Sequence, residues 1–248
     1  MFKGFIGRMR GLGLVLGLGL CVGLAPAVAM AQTDQAAFDL VIKGIRAGTL
    51  NFTGTQDGGR YSVAGKLQSG GLVAMLRKVR YDAKATGSVV RGRYVPASYT
   101  EIADTGKRRS EAVMAYRAGV PQVKTYNPPR DPRPGDVSPA TQGGTVDPLT
   151  ALYATLRDVD AGQECKVDLQ LFDGRRRTQV RLNSPQAQGE AVVCNGEYRR
   201  LQGFSAEDMA EKSRFAFRVT FQPLGNGRMR ATEVAMDTLY GKASLKRR

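Results

Sequence analysis

No histidine occurs anywhere in the 248 residues, and that removes the commonest routes to catalysis. A Ser-His-Asp relay needs an imidazole between nucleophile and carboxylate. A Ser-Lys dyad is open by composition, but no serine sits in a Gly-x-Ser-x-Gly elbow or a Ser-x-x-Lys motif. Carboxylates remain, and two acids flanking a glycosidic bond can hydrolyse it. Asp136, Asp147, Asp158, Asp160 and Glu164 fall in one part of the chain, yet plainer roles suit them. Asp147 precedes Pro148 as a helix cap, and the others read as solvated loop charges. No Gly-rich loop joins a strand to a helix as a phosphate cradle requires, and no EF-hand spacing is present. The expectation is a protein with no catalytic residues, no cofactor and no metal.

Basic residues are the other chemically notable set. Arg175, Arg176 and Arg177 follow a turn; Lys107, Arg108 and Arg109 lie between two strands; Arg77, Lys78 and Arg80 end a short helix; Lys246, Arg247 and Arg248 close the chain. Such clusters ordinarily form solvated faces that discourage edge-to-edge sheet association. Their functional alternative is a basic rim for headgroups or glycan phosphates, with Arg175, Arg176 and Arg177 as its candidates. Nucleic acid is disfavoured, because the basic residues are scattered rather than striped.

The N-terminus supplies the compartment. Lys3, Arg8 and Arg10 precede an uncharged stretch from Gly11 to Leu24, then Pro26 and the small-residue series Ala27-Val28-Ala29-Met30-Ala31. This pattern is that of a secretory signal peptide, residues 1–31, cleaved after Ala29 or Ala31. Glycines and Pro26 dilute the stretch too heavily for a membrane anchor of about 20 apolar residues. Leu20 before Cys21 lacks the small side chain of a lipoprotein signal. Cleavage removes Cys21 and lowers the net charge from +15 to +12. Cys165 and Cys194 then remain as an even pair in an exported, periplasmic chain, which points to a disulfide. On the loop-entropy model, closing a loop of about 30 residues contributes roughly 3 kcal/mol.

The elements that must position these groups follow a period of two. Phe38, Leu40 and Ile42 alternate with polar or small residues, and Leu50 and Phe52 follow. Turns at Asp57-Gly58, Asp173-Gly174 and Asn226-Gly227 each bring apolar faces into register. They pair Phe52 with Val63, Val167 with Val180, Cys165 with Leu182, Phe217 with Met236, Val219 with Val234 and Phe221 with Thr232. Further strands are expected near 79–85, 93–102, 111–116, 122–126, 191–194 and 198–204. Short helices are expected at Gly71–Lys78, Pro148–Arg157 and Ala206–Lys212. The fold class is mainly β, a curved antiparallel sheet forming a half-open or closed barrel with two or three short helices. Residues 32–248 are read as one domain, with a Pro-rich surface loop at about 127–146 that cannot continue a sheet.

Several short stretches resemble, in their order, a family of uncharacterised exported bacterial proteins, domain-of-unknown-function family 3108. They are Gly44-Ile45-Arg46-Ala47-Gly48, Tyr94-x-Pro96, Asp147-Pro148-Leu149-Thr150-Ala151-Leu152-Tyr153 and Phe172-Asp173-Gly174-Arg175-Arg176, followed by Cys194, Tyr198, Gly203 and Phe204. The resemblance implies one domain over nearly the whole mature chain. The expected architecture is further similar, by analogy of fold alone, to periplasmic lipoprotein carriers, half-open barrels that wrap short helices and hold lipid. The resemblance implies no activity.

A curved sheet either packs its interior or leaves a groove. The expected function is a non-enzymatic periplasmic envelope protein that binds a hydrophobic or lipid-like ligand. Phe52, Val63, Phe217, Val219 and Phe221 would be its apolar wall, and an anionic envelope surface would be a further partner. The alternatives are a basic scaffold for envelope polyanions and a carboxylate-based hydrolase.

Overall fold

Alternation with period two buries one face only when the chain is extended. The computed structural model describes residues 31–76, 78–238 and 241–248, and these form fourteen strands and three short helices. The first half holds β1 (Gln32–Ile42), β2 (Ile45–Asp57), β3 (Arg60–Ser69), β4 (Arg80–Val90), β5 (Arg93–Asp104), β6 (Arg109–Arg117) and β7 (Val120–Asn127). The second holds β8 (Val159–Asp160), β9 (Val167–Phe172), β10 (Arg177–Gln188), β11 (Ala191–Gln202), β12 (Arg214–Gly225), β13 (Arg228–Thr238) and β14 (Gly241–Arg247). The helices are α1 (Gly71–Leu76), α2 (Pro148–Leu156) and α3 (Ala206–Glu211). The signal-peptide reading, its cleavage points and Cys21 concern residues outside those described, apart from Ala31.

All the strands belong to one antiparallel sheet. Its order runs from β7 in sequence down to β1, crosses to β14, and continues down to β9, with β8 paired to β13. Along that path, the junction of β1 with β14 joins strands from the two ends of the chain, Phe38 opposite Arg247 and Ile42 opposite Ala243. The sheet is curved but not closed strand to strand: β7 and β9 are its edges. The Pro-rich stretch lies in the gap. Val146 bridges Leu171 in parallel, donating to Gln170 O and accepting from Phe172 N, both at 2.9 Å, while Gly144 N bonds Gly119 O at 3.0 Å. Prolines forbid a full ladder there, and two backbone bonds to β9 and one to the β6–β7 turn replace it.

Two hairpin registers differ from the sequence expectation by two residues. Gly58 and Gly59 both adopt positive φ, +51° and +77°, as a two-residue hairpin turn of this hand needs, so the turn lies one position beyond Asp57-Gly58. Phe52 faces Gly65 and Val63 faces Gly54. At the β9–β10 turn, Asp173 Oδ1 accepts from the backbone N–H of Arg175 and of Arg176, each at 2.8 Å. This capped turn spans four residues and sets Val180 opposite Leu169 and Leu182 opposite Val167, with Cys165 outside the strand. A shift of two leaves every side chain on its expected face. The β12–β13 pairs Phe217–Met236 and Val219–Val234 are as read, but a bulge after Thr220 sets Phe221 opposite Ala231 rather than Thr232.

α2 fills the concavity. Asp147 caps it, Oδ1 accepting from Thr150 N at 2.8 Å, with Pro148 at the first helical position. Leu149, Tyr153 and Leu156 join Phe38, Phe52, Val63, Met114, Phe172, Val219 and Phe221 in one core cluster. The helix reaches the sheet because two strand positions facing it lack a side chain. A methyl at Gly54 would collide with the Tyr153 ring, and one at Gly65 would lie 2.6 Å from Leu149 Cδ1. Cys165 and Cys194 form the disulfide, with Cα atoms 5.3 Å apart.

Candidate functional site

The expected apolar wall is part of the packed interior. Phe52, Val63, Phe217, Val219 and Phe221 are all buried, and Phe52 meets Tyr153 of α2 edge-on with ring centroids 6.0 Å apart. The three arginines of the expected rim part company. Arg177 Nε donates to Gln170 Oε1 at 2.5 Å, Arg176 stacks its guanidinium 4.9 Å from the Phe204 ring, and Arg175 turns toward the sheet's concave side.

Arg175 there lines a pocket of about 210 Å³. It lies at the end of the sheet where β4 begins, β5 and β7 end, and the β9–β10 turn folds over. Tyr81, Glu101 and Ala103 form its floor; Thr105 and Arg108 come from the β5–β6 turn, Ser110 from β6, Tyr126 from β7, Arg130 from the Pro-rich loop, and Asp173 and Arg175 from the β9–β10 turn.

The arginines are held from behind. Arg130 Nη2 donates to Ser110 Oγ at 3.0 Å, Arg108 Nη2 to Pro128 O at 3.2 Å, and Arg175 Nη2 to Asp131 O at 2.7 Å. Arg175 also pairs with Asp136 at 3.1 Å, and its side chain is only 13% exposed. The Tyr126 ring takes both guanidinium groups, Arg130 at 4.5 Å and Arg175 at 5.6 Å from its centroid. One donor is left over: Arg130 Nε is buried without a hydrogen-bond partner, whereas Arg175 Nη1 faces Asp136 Oδ2 in the ion pair. Burying a charged donor unsatisfied is costly, and such groups call for an explanation.

The acids beside them are engaged. Tyr99 Oη donates to Glu101 Oε2 at 2.6 Å, and burial, followed by the Glu101 charge, pushes that phenol well above its ordinary range. Burial also pushes the Tyr126 hydroxyl up, while Arg175 beside it pulls the other way.

Elsewhere the carboxylates depart from the solvated roles expected of them. Asp158 is buried and accepts from Arg230 Nη2 at 2.6 Å, with Arg247 Nη1 at 3.5 Å. Arg247 is thus an interior residue of β14, not part of a solvated terminal cluster. Glu164 is also buried. Asp147 keeps its expected cap and adds a chain inward: Thr150 Oγ1 donates to its Oδ2 at 2.6 Å, and the Tyr61 hydroxyl lies 2.9 Å from Thr150 Oγ1. Burial pushes the Asp147 carboxyl up to about 6.

A family model described as "Protein of unknown function (DUF3108)" matches residues 37–202, a span that contains every residue lining the pocket. Among solved structures, the chain is similar to a crystal structure from Brucella abortus described as a beta-barrel-like protein of domain of unknown function DUF1849. The identity is 12% and the TM-score 0.50, over 87% of this chain and 95% of that one. At that identity the likeness concerns the fold. No curated protein matches the chain.

Proposed function

The chain belongs to the family of proteins of unknown function DUF3108, and we propose that it is a non-enzymatic binding protein of the bacterial envelope, exported to the periplasm, that holds the anionic end of a lipid-like amphiphile. The observation that carries this reading is the convergence of the Arg108, Arg130 and Arg175 guanidinium groups on one pocket, with Arg130 Nε buried there and unsatisfied. A phosphate or carboxylate oxygen is their natural acceptor, and guanidinium groups match both geometrically.

Pocket size sets which part of the ligand enters. About 210 Å³ suits a headgroup and not an acyl chain, and α2 already occupies the apolar interior, so the hydrocarbon lies outside. Two further features support the reading. The sequence's charge of +15, which removal of residues 1–31 would lower to +12, favours an anionic surface. The disulfide suits an oxidising compartment. The non-enzymatic part rests on the commitment of three buried acids: Asp147 to the α2 cap, Asp158 to Arg230, and Asp34 to the Tyr153 hydroxyl at 2.8 Å.

Dodecyl phosphate, titrated against the purified protein below its micelle concentration, tests the proposal. Saturable binding is expected, weakened at least about tenfold in Arg130→Ala and in Arg175→Ala, since a charge-assisted hydrogen bond contributes about 1.5–3 kcal/mol. Dodecyl maltoside, of equal chain length and no charge, should bind the wild type no better than it binds the variants. Equal affinity for both detergents would overturn the reading.

A further inference from the structure

A second pocket lies at the opposite end of the sheet. β4 runs from Arg80 beside the arginine pocket to Val90, and β9 runs the other way, from Val167 to Phe172. At the Val90 and Val167 ends a recess of about 290 Å³ opens between the last turn of α2, the β4–β5 turn and the segment leading into β9. Tyr94 and Phe221 supply its apolar wall, and Ala154, Thr155 and Glu164 its polar one.

Glu164 is the unusual member. It is only 6% exposed, yet no lysine or arginine among the described residues forms an ion pair with it. Its one hydrogen bond comes from the Gly162 backbone N–H to Oε1, at 2.9 Å. Oε2 accepts nothing among the described residues. Oε2 stays accessible from the recess, open to a donor carried by a ligand. The frame around it is fixed: Ala161 N bonds Gly227 O at 2.9 Å, Gln163 N bonds Asp160 O at 3.0 Å, and the neighbouring Cys165 is tied to Cys194.

The helix contributes the same polarity. α2 ends at Leu156, so the carbonyls of its last turn, at Ala154 and Thr155, lie at the negative end of the helix and lack intrahelical donors. A buried carboxylate and the C-terminal end of a helix face one small recess. Both attract a cation, and both accept hydrogen bonds.

We infer that this recess binds a primary ammonium group carried by a small polar molecule, with Glu164 as its counter-ion and the α2 carbonyls as further acceptors. An ammonium group brings three donors, which suits a carboxylate oxygen and two carbonyls. A quaternary ammonium has none to offer. Arg93 and Lys166, both exposed, and the half-buried Arg157 also line the recess and suit an anionic substituent elsewhere on the same molecule.

Isotope-labelled purified protein titrated with phosphoethanolamine tests this by NMR, with phosphocholine as the quaternary control. Phosphoethanolamine should shift the Glu164 and Tyr94 signals saturably, and phosphocholine should do so at least tenfold more weakly. Glu164→Gln should abolish the difference while leaving binding of dodecyl phosphate at the arginine pocket unchanged. Equal responses to the two probes, no saturable response, or an identical response in Glu164→Gln would each overturn the inference. A crystal structure with the Arg157 or Lys166 side chain paired to Glu164 would do so as well.

Discussion

Asp147 carries two duties that pull in opposite directions. As the α2 cap it accepts from Thr150 N and Thr150 Oγ1, which favours the charged form; complete burial favours the neutral one, and burial wins, with the carboxyl at about 6 against an ordinary 3.8. The folded protein therefore binds a proton that the unfolded chain releases between those values. Stability from this group is fully present below about pH 4 and is lost as pH rises through 6, by about 3 kcal/mol in all. Asn caps helices as well as Asp does. Asp147→Asn should thus flatten the profile: its unfolding free energy in urea should change less between pH 4 and pH 7 than that of the wild type, by about the same 3 kcal/mol. Parallel profiles for the two proteins would mean that Asp147 does not hold the proton.

Among the elements, α2 depends on what the sheet omits. Gly54 and Gly65 face it from neighbouring strands and clear the space that Tyr153 and Leu149 occupy. Gly54→Ala and Gly65→Ala should each destabilise the fold by about 1–3 kcal/mol through overpacking. Their denaturation midpoints should fall accordingly, although alanine suits a strand interior better than glycine does. These glycines explain what a sequence reading could and could not reach. Asp147-Pro148 and Asn226-Gly227 encode their structures within four residues, so the α2 cap and the β12–β13 hairpin were legible. The purpose of Gly54 and Gly65 was not, because it depends on a ring and a leucine about a hundred positions away. β14 escaped for a related reason. Only Ala243 and Leu245 mark its alternation, and its inward Arg247 makes sense only once Asp158 is placed beside it. The arginine pocket was half legible: Arg175 stood out at a turn, whereas Tyr126, Arg130 and Ser110 converge only when the Pro-rich loop folds back.

For the whole molecule, the junction of β1 with β14 decides whether the chain's halves act as one. The first seven strands and the last six of the sheet path share no other ladder, so this pairing, the α2 plug and the Val146 bridge connect them. Arg247 reinforces the junction from inside, bonding Asp158 from β14 with its guanidinium 5.6 Å from the Phe38 ring of β1. Reducing the Cys165–Cys194 disulfide loosens only the second half directly, and on the loop-entropy model should cost roughly 3 kcal/mol. If the sheet is a single cooperative unit, that loss must be felt in both halves. Six of the nine tyrosines, 61, 81, 94, 99, 116 and 126, lie in the first half and weight the tyrosine signal toward it, while the disulfide lies in the second. Reduction should therefore lower the tyrosine-monitored melting transition together with the far-ultraviolet one, the two remaining superimposed. A tyrosine transition that stays in place while the far-ultraviolet signal splits would show two units that melt independently, with the β1–β14 ladder too weak to couple them.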